Sequence, residues 1–77
     1  MKTVQISLNS IDKVKSFVNT ITKYDNDFDL VSGRYVIDAK SIMGIFSLDL
    51  SKPIDLNTHA DSNIDDILAA LDAYIIK

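Results

Sequence analysis

The 77-residue chain carries 47% hydrophobic and 25% charged residues, with only two glycines and one proline, so it is too apolar and too lightly charged for a disordered segment. A net charge of −3 and a pI near 4.7, with the eight basic residues scattered, exclude a surface built for nucleic acid. The absence of cysteine removes disulfide staples, thiolate metal sites and thiol catalysis together.

One domain over 1-77 is expected, with neither a repeat nor a linker. At this size folding buries only about 60% of the surface of the unfolded chain. Met1 to Leu8 lacks the continuous apolar centre of a signal peptide, and no apolar run approaches the roughly 18 residues of a membrane span. The expectation is a soluble, cytoplasmic protein without membrane insertion.

Val4, Ile6 and Leu8 alternate with Thr3, Gln5 and Ser7, the period of a half-buried first strand. Asn9-Ser10-Ile11-Asp12 offers a capping side chain with a carboxylate three residues later, and predicts the start of a helix. Val14, Phe17, Val18 and Ile21 form its apolar face, and it is expected to end near Tyr24. Asp25-Asn26-Asp27 is turn chemistry. Phe28, Leu30 and, across a Ser32-Gly33 turn, Tyr35 and Ile37 predict a two-stranded hairpin, with Tyr24 and Tyr35 read as packing residues. Ser41 is placed to cap a short helix through Leu48, in which Gly44 allows close backbone packing. After Pro53, Ile54 to Thr58 alternates as a fourth strand. Asp61 or Ser62 then caps a last helix whose stripe is Ile64, Ile67, Leu68, Leu71 and Ile75, running nearly to Lys77.

The order is β-α-β-β-α-β-α. So little sheet cannot bury itself, and each helix has one apolar face. Packing all three helices on one face of a four-stranded antiparallel sheet is the economical solution, an α+β open-faced sandwich.

Lys40-Ser41-Ile42-Met43-Gly44 resembles the run that opens the second helix in the HPr family, the phosphocarriers of the bacterial phosphoenolpyruvate-dependent sugar phosphotransferase system. Lys23-Tyr24-Asp25 is similar to the end of that family's first helix, and Leu68-Ala69-Ala70-Leu71 to its last; the likeness covers the chain. It implies the HPr-like sheet order 1-4-2-3. It also implies a His-x-Arg-Pro motif at the first helix, and there this chain departs: the family's spacing sets Ser10 at the histidine, Ile11 next, Asp12 at the arginine and Lys13 at the proline. An imidazole holds phosphorus as a labile phosphoramidate that can be handed on, whereas a serine phosphate ester is a poor donor. Asp12 would repel the phosphoryl group that an arginine would help neutralise.

No catalytic residue and no cofactor are therefore expected, and the chain is read as a non-catalytic protein-binding or regulatory module. Ser10 is then a plain helix cap. His59, the single histidine, ends strand four, at the opposite end of the sheet from Ser10 and on the order of 15–20 Å away. It is the candidate acceptor only in the alternative of a displaced-site phosphocarrier. Ser41 matches the serine that a dedicated HPr kinase phosphorylates in Gram-positive members, after which a transcriptional regulator is recruited; this makes a regulatory switch the other alternative. Ile42, Met43, Ile45 and Phe46 cannot all point inward on so short a helix, and the resemblance makes them the docking patch for enzyme I and sugar-specific components. Asp25, Asp27 and Asp29 lack the glycine and late glutamate of a calcium loop, so no metal is expected.

Overall fold

The structure, a computed structural model, describes residues 2–60 and 63–76. Its elements are β1 (Lys2–Ile6), α1 (Ile11–Ile21), β2 (Asp27–Ser32), β3 (Tyr35–Asp38), α2 (Ile42–Phe46), β4 (Ile54–His59) and α3 (Ile64–Ala70). The four strands form one antiparallel sheet in the order β1-β4-β2-β3, as the resemblance implies. Strand β4 lies between β1, through Val4 opposite Leu56, and β2, through Leu30 opposite Leu56.

Period-two alternation decides the faces. Ile6, Phe28, Leu30, Ile54, Leu56 and Thr58 point inward and are buried, while Thr3, Gln5, Asp27 and Asp38 on the opposite face are exposed. The inward set joins Val14, Phe17 and Ile21 of α1, Ile45 of α2, Ile67 of α3 and Leu71 in one core. Phe17 meets Tyr74 edge to face at 5.7 Å, which fastens α1 to the chain beyond α3.

The hairpin closes over two residues, Gly33 and Arg34, between Ser32 and Tyr35, one residue later than expected. Gly33 takes φ +61°, the left-handed conformation that a two-residue turn with glycine first requires. Tyr35 is 71% exposed and does not pack, because it lies at the start of the outermost strand, beyond the reach of the helices.

All three helices are shorter than expected. α2 stops at Phe46 rather than Leu48, and the Ser47 and Leu48 amides turn back on the Gly44 and Ile45 carbonyls. α1 stops at Ile21, and Lys23 and Tyr24 turn back on Thr20 and Ile21 with i→i+3 bonds before the chain enters β2. α3 stops at Ala70. Leu71 to Tyr74 form turns, and Ile75 leaves the helical stripe to bridge Ile6, with the Ile76 amide donating to the Gln5 carbonyl and the Ser7 amide to the Tyr74 carbonyl. Those bonds satisfy part of the β1 edge, which a continuing helix would leave bare. The cap of α3 is Asn63, without a side-chain cap bond; Asp61 and Ser62, the expected caps, lie outside the described residues.

Thr58 is fully buried with its hydroxyl unpartnered among the described residues. Its branched shape suits the strand, but the lone hydroxyl costs free energy in an apolar core. Thr58→Val should therefore stabilise the fold by about 1 kcal/mol, read as a melting temperature about 4–8 °C higher in a thermal unfolding scan.

Candidate partner-binding site

Helices α1 and α2 pack against each other, and each begins with a serine in extended conformation. Ser10 Oγ accepts from the Lys13 amide at 3.2 Å, and Ser41 Oγ accepts from the Gly44 amide at 3.3 Å. Each hydroxyl satisfies an amide that the first turn leaves orphaned. Asp12 lies in the first turn of α1, where a carboxylate favours the helix dipole and repels an approaching anion.

What positions α2 is the segment just before it. Asp38 Oδ1 accepts from the Lys40 amide at 2.9 Å, and the Asp38 carbonyl accepts from the Ser41 amide at 3.0 Å. The Lys40 ammonium donates to the Tyr24 carbonyl at 2.8 Å and stands 5.6 Å from the centre of the Phe28 ring. One side chain thus ties the entry of α2 to the exit of α1. Gly44 lets the helix sit close to β3: a Cβ there would lie 3.3 Å from Ile37 Cδ1 and 3.2 Å from the Ser41 hydroxyl that caps the turn.

A five-residue helix has room for one inward residue per turn. Ile45, expected in the docking patch, is fully buried and belongs to the core, so it is removed from the surface set. Ile42 is half-buried, Met43 is 77% exposed and Phe46 is 40% exposed. Ile11, the first residue of α1, adds a third exposed apolar side chain at 61%. Sequence reasoning did not single it out; its position ahead of the Val14-Phe17-Val18-Ile21 stripe is the only signal.

His59 ends β4 at the sheet end where Lys2 pairs with Thr58, whereas Ile6, which leads toward Ser10, pairs with Ile54 at the other. The structure therefore does not bring His59 and Ser10 together. His59 Nε2 lies 2.8 Å from Asp29 Oδ2, a pairing absent from the sequence reading because it depends on strand register. The two line an open cavity of about 380 Å³ with Asp27, Asp38 and Phe28. Its carboxylates make it hostile to phosphate. Among the described residues no group of three or more His, Asp or Glu is placed to hold a metal ion, and no helix is long and apolar enough to cross a membrane. In the loop after α2, hydrogen bonds from the Ser51 hydroxyl and amide, reinforced by Lys52, hold the exposed Asp49 carboxyl below its ordinary value of 3.8.

The chain is similar along almost its whole length to solved phosphocarrier structures. HPr-C-His from Thermoanaerobacter tengcongensis superposes with a TM-score of 0.78 at 28% identity, over 95% of this chain and 89% of that one. The phosphocarrier protein HPr from Bacillus anthracis gives 0.71 at 30% identity, over 97% and 94%. A histidine-containing phosphocarrier protein of Mycoplasma gives 0.70 over 94% and 86%, at 13% identity a likeness of fold alone. No protein-family model and no curated protein matches the chain.

Lys40→Met keeps the aliphatic stem on Phe28 but removes the donor from the Tyr24 carbonyl. It should cost about 1–2 kcal/mol in chemical denaturation and loosen α2, seen as faster hydrogen exchange at the Gly44 and Ile45 amides.

Proposed function

Since this chain belongs to the HPr phosphocarrier family, we propose that it serves the phosphoenolpyruvate-dependent sugar phosphotransferase system as a protein-binding or regulatory module that does not itself carry phosphate. The observation behind this proposal is the start of α1. The residues there are Ser10, Ile11, Asp12 and Lys13, and the Ser10 hydroxyl is used to cap the helix. By the family's spacing these stand at the His-x-Arg-Pro motif, so the labile phosphoramidate has no nitrogen to form on. The Asp12 carboxylate in the first turn stands where the motif has an arginine, and so removes a neutralising charge for a phosphoryl group.

The surface that supports binding is the apolar one on the same two helices. Met43 offers a polarizable thioether, and Phe46 on the same helix and Ile11 on α1 add exposed apolar area, a composition suited to a partner's pocket. Enzyme I, a sugar-specific component, HPr kinase or a transcriptional regulator are the partners that family membership suggests, and we assign the protein to their cytoplasmic compartment. A module of this kind would occupy a partner's docking surface without receiving its phosphate.

A second role rests on Ser41. Its hydroxyl heads α2 at an exposed position, and a phosphate there would face the unpaired amides of the first turn. The displaced-acceptor alternative at His59 is weaker. Its Nε2 is engaged by Asp29, and Asp27 and Asp38 share its cavity.

Incubation with enzyme I and labelled phosphoenolpyruvate should leave the chain unlabelled, while an acid-labile phosphorylated product would overturn the proposal; loss of that label in His59→Ala would assign it to the displaced acceptor. Treatment with the family's kinase should add a single phosphate at Ser41 if the switch operates, and mass spectrometry finding none excludes that role. Met43→Glu combined with Phe46→Glu should weaken binding to whichever phosphotransferase component is captured by at least about tenfold, with the melting temperature unchanged.

A further inference from the structure

The sheet has two outer edges, and they are treated differently. The β1 edge is partly closed by Ile75 and Ile76. The β3 edge is open, and two adjacent large apolar side chains on it, Tyr35 at 71% and Val36 at 64%, are exposed. Register fixes where its backbone points. Ser32 and Tyr35 flank a two-residue turn and form the hydrogen-bonded pair, so Val31 and Val36 form the next, non-bonded pair. The Ala39 amide donating to the Phe28 carbonyl keeps the same alternation at the other end. The Val36 N–H and C=O therefore face away from β2, toward solvent. Asp38 shares the open face of the sheet with Val36, and the exposed Arg34 stands in the turn just ahead of the strand.

We propose that β3 is a self-association edge, on which a second copy of this chain adds its own β3 antiparallel about Val36 to make one continuous sheet. The strand is complementary to itself in that register. Val36 meets Val36 of the second copy, with two reciprocal backbone hydrogen bonds. The exposed Tyr35 lies opposite the half-buried Ile37, and this occurs twice. Arg34 lies opposite Asp38, also twice. Arg34 makes no hydrogen bond or ion pair among the described residues, and Asp38 uses Oδ1 for the Lys40 amide, leaving Oδ2 for the guanidinium. Moving the register by two residues in either direction breaks both charge pairs, so charge selects this register as well as this partner. A four-residue edge buries less than the roughly 1,200 Å² of a stable interface, and each copy carries −3, so the dimer is weak and concentration-dependent. The pairing leaves the exposed residues of α1 and α2 free.

Sedimentation equilibrium and amide spectra of the full chain, from ten micromolar to several millimolar, test the pairing. Shifts should grow with concentration at Arg34, Val36 and Asp38, with slowed exchange of the Val36 amide. Val36→Pro removes the outward donor at a position where an edge tolerates proline, and should weaken association at least about tenfold. Arg34→Asp should do the same from the turn without touching the strand, which keeps the test decisive if the proline variant fails to fold. Each homodimer of Arg34→Asp or of Asp38→Arg has two like-charge pairs, whereas an equimolar mixture has two opposite-charge pairs and should regain association. A chain that stays monomeric at several millimolar overturns the proposal. So does association that maps to Met43 and Phe46, or association unmoved by these substitutions.

Discussion

One-sided burial governs this molecule. Four short strands supply a single apolar face, and three helices too short to be stable alone must lay their stripes on it. The core this creates runs from Ile6 to Leu71, so no helix has an independent reason to exist and none can be displaced without exposing the sheet. The opposite face needs no cover, because Thr3, Gln5, Asp27 and Asp38 are content in water. That asymmetry puts the core, and with it the stability, on the helical side.

The exposed apolar patch on α2 is what remains after the core has taken its share. Ile45 goes inward, Gly44 lets α2 approach Ile37, and the geometry of a single helical turn then forces Met43 outward. Lys40 secures the arrangement from outside the helix, joining the Tyr24 carbonyl and the Phe28 ring. The small apolar patch thus sits on a rigid mount, on which less freedom would be lost in any binding event. At the start of α1 the Ser10 hydroxyl caps the helix, as Ser41 caps α2.

Much of this was legible before any coordinates. Val4 and Ile6, or Val14, Phe17 and Ile21, announce their elements because burial on one side imposes a period on the sequence. What stayed hidden depended on long-range geometry. Ile75 fits the stripe of α3 by spacing, but the bare edge of β1 competes for its backbone and wins. Tyr35 reads as core by composition and is exposed because nothing reaches the outermost strand. The His59 pairing with Asp29 follows only from the register of β2 with β4, which no local pattern encodes. The burial of Ile45 alongside the exposure of Met43 needed the exact rotation of a helix barely longer than one turn.

The sheet order has a temporal side as well. Within the sheet, strand β4, residues 54–59, lies between β1 and the β2–β3 hairpin, yet it follows all three in the chain. A nascent polypeptide leaving the ribosome can form the hairpin and the first helix, but it cannot join the halves until nearly the whole chain has emerged. The continuous apolar face on which the helices rest is therefore completed in one late step.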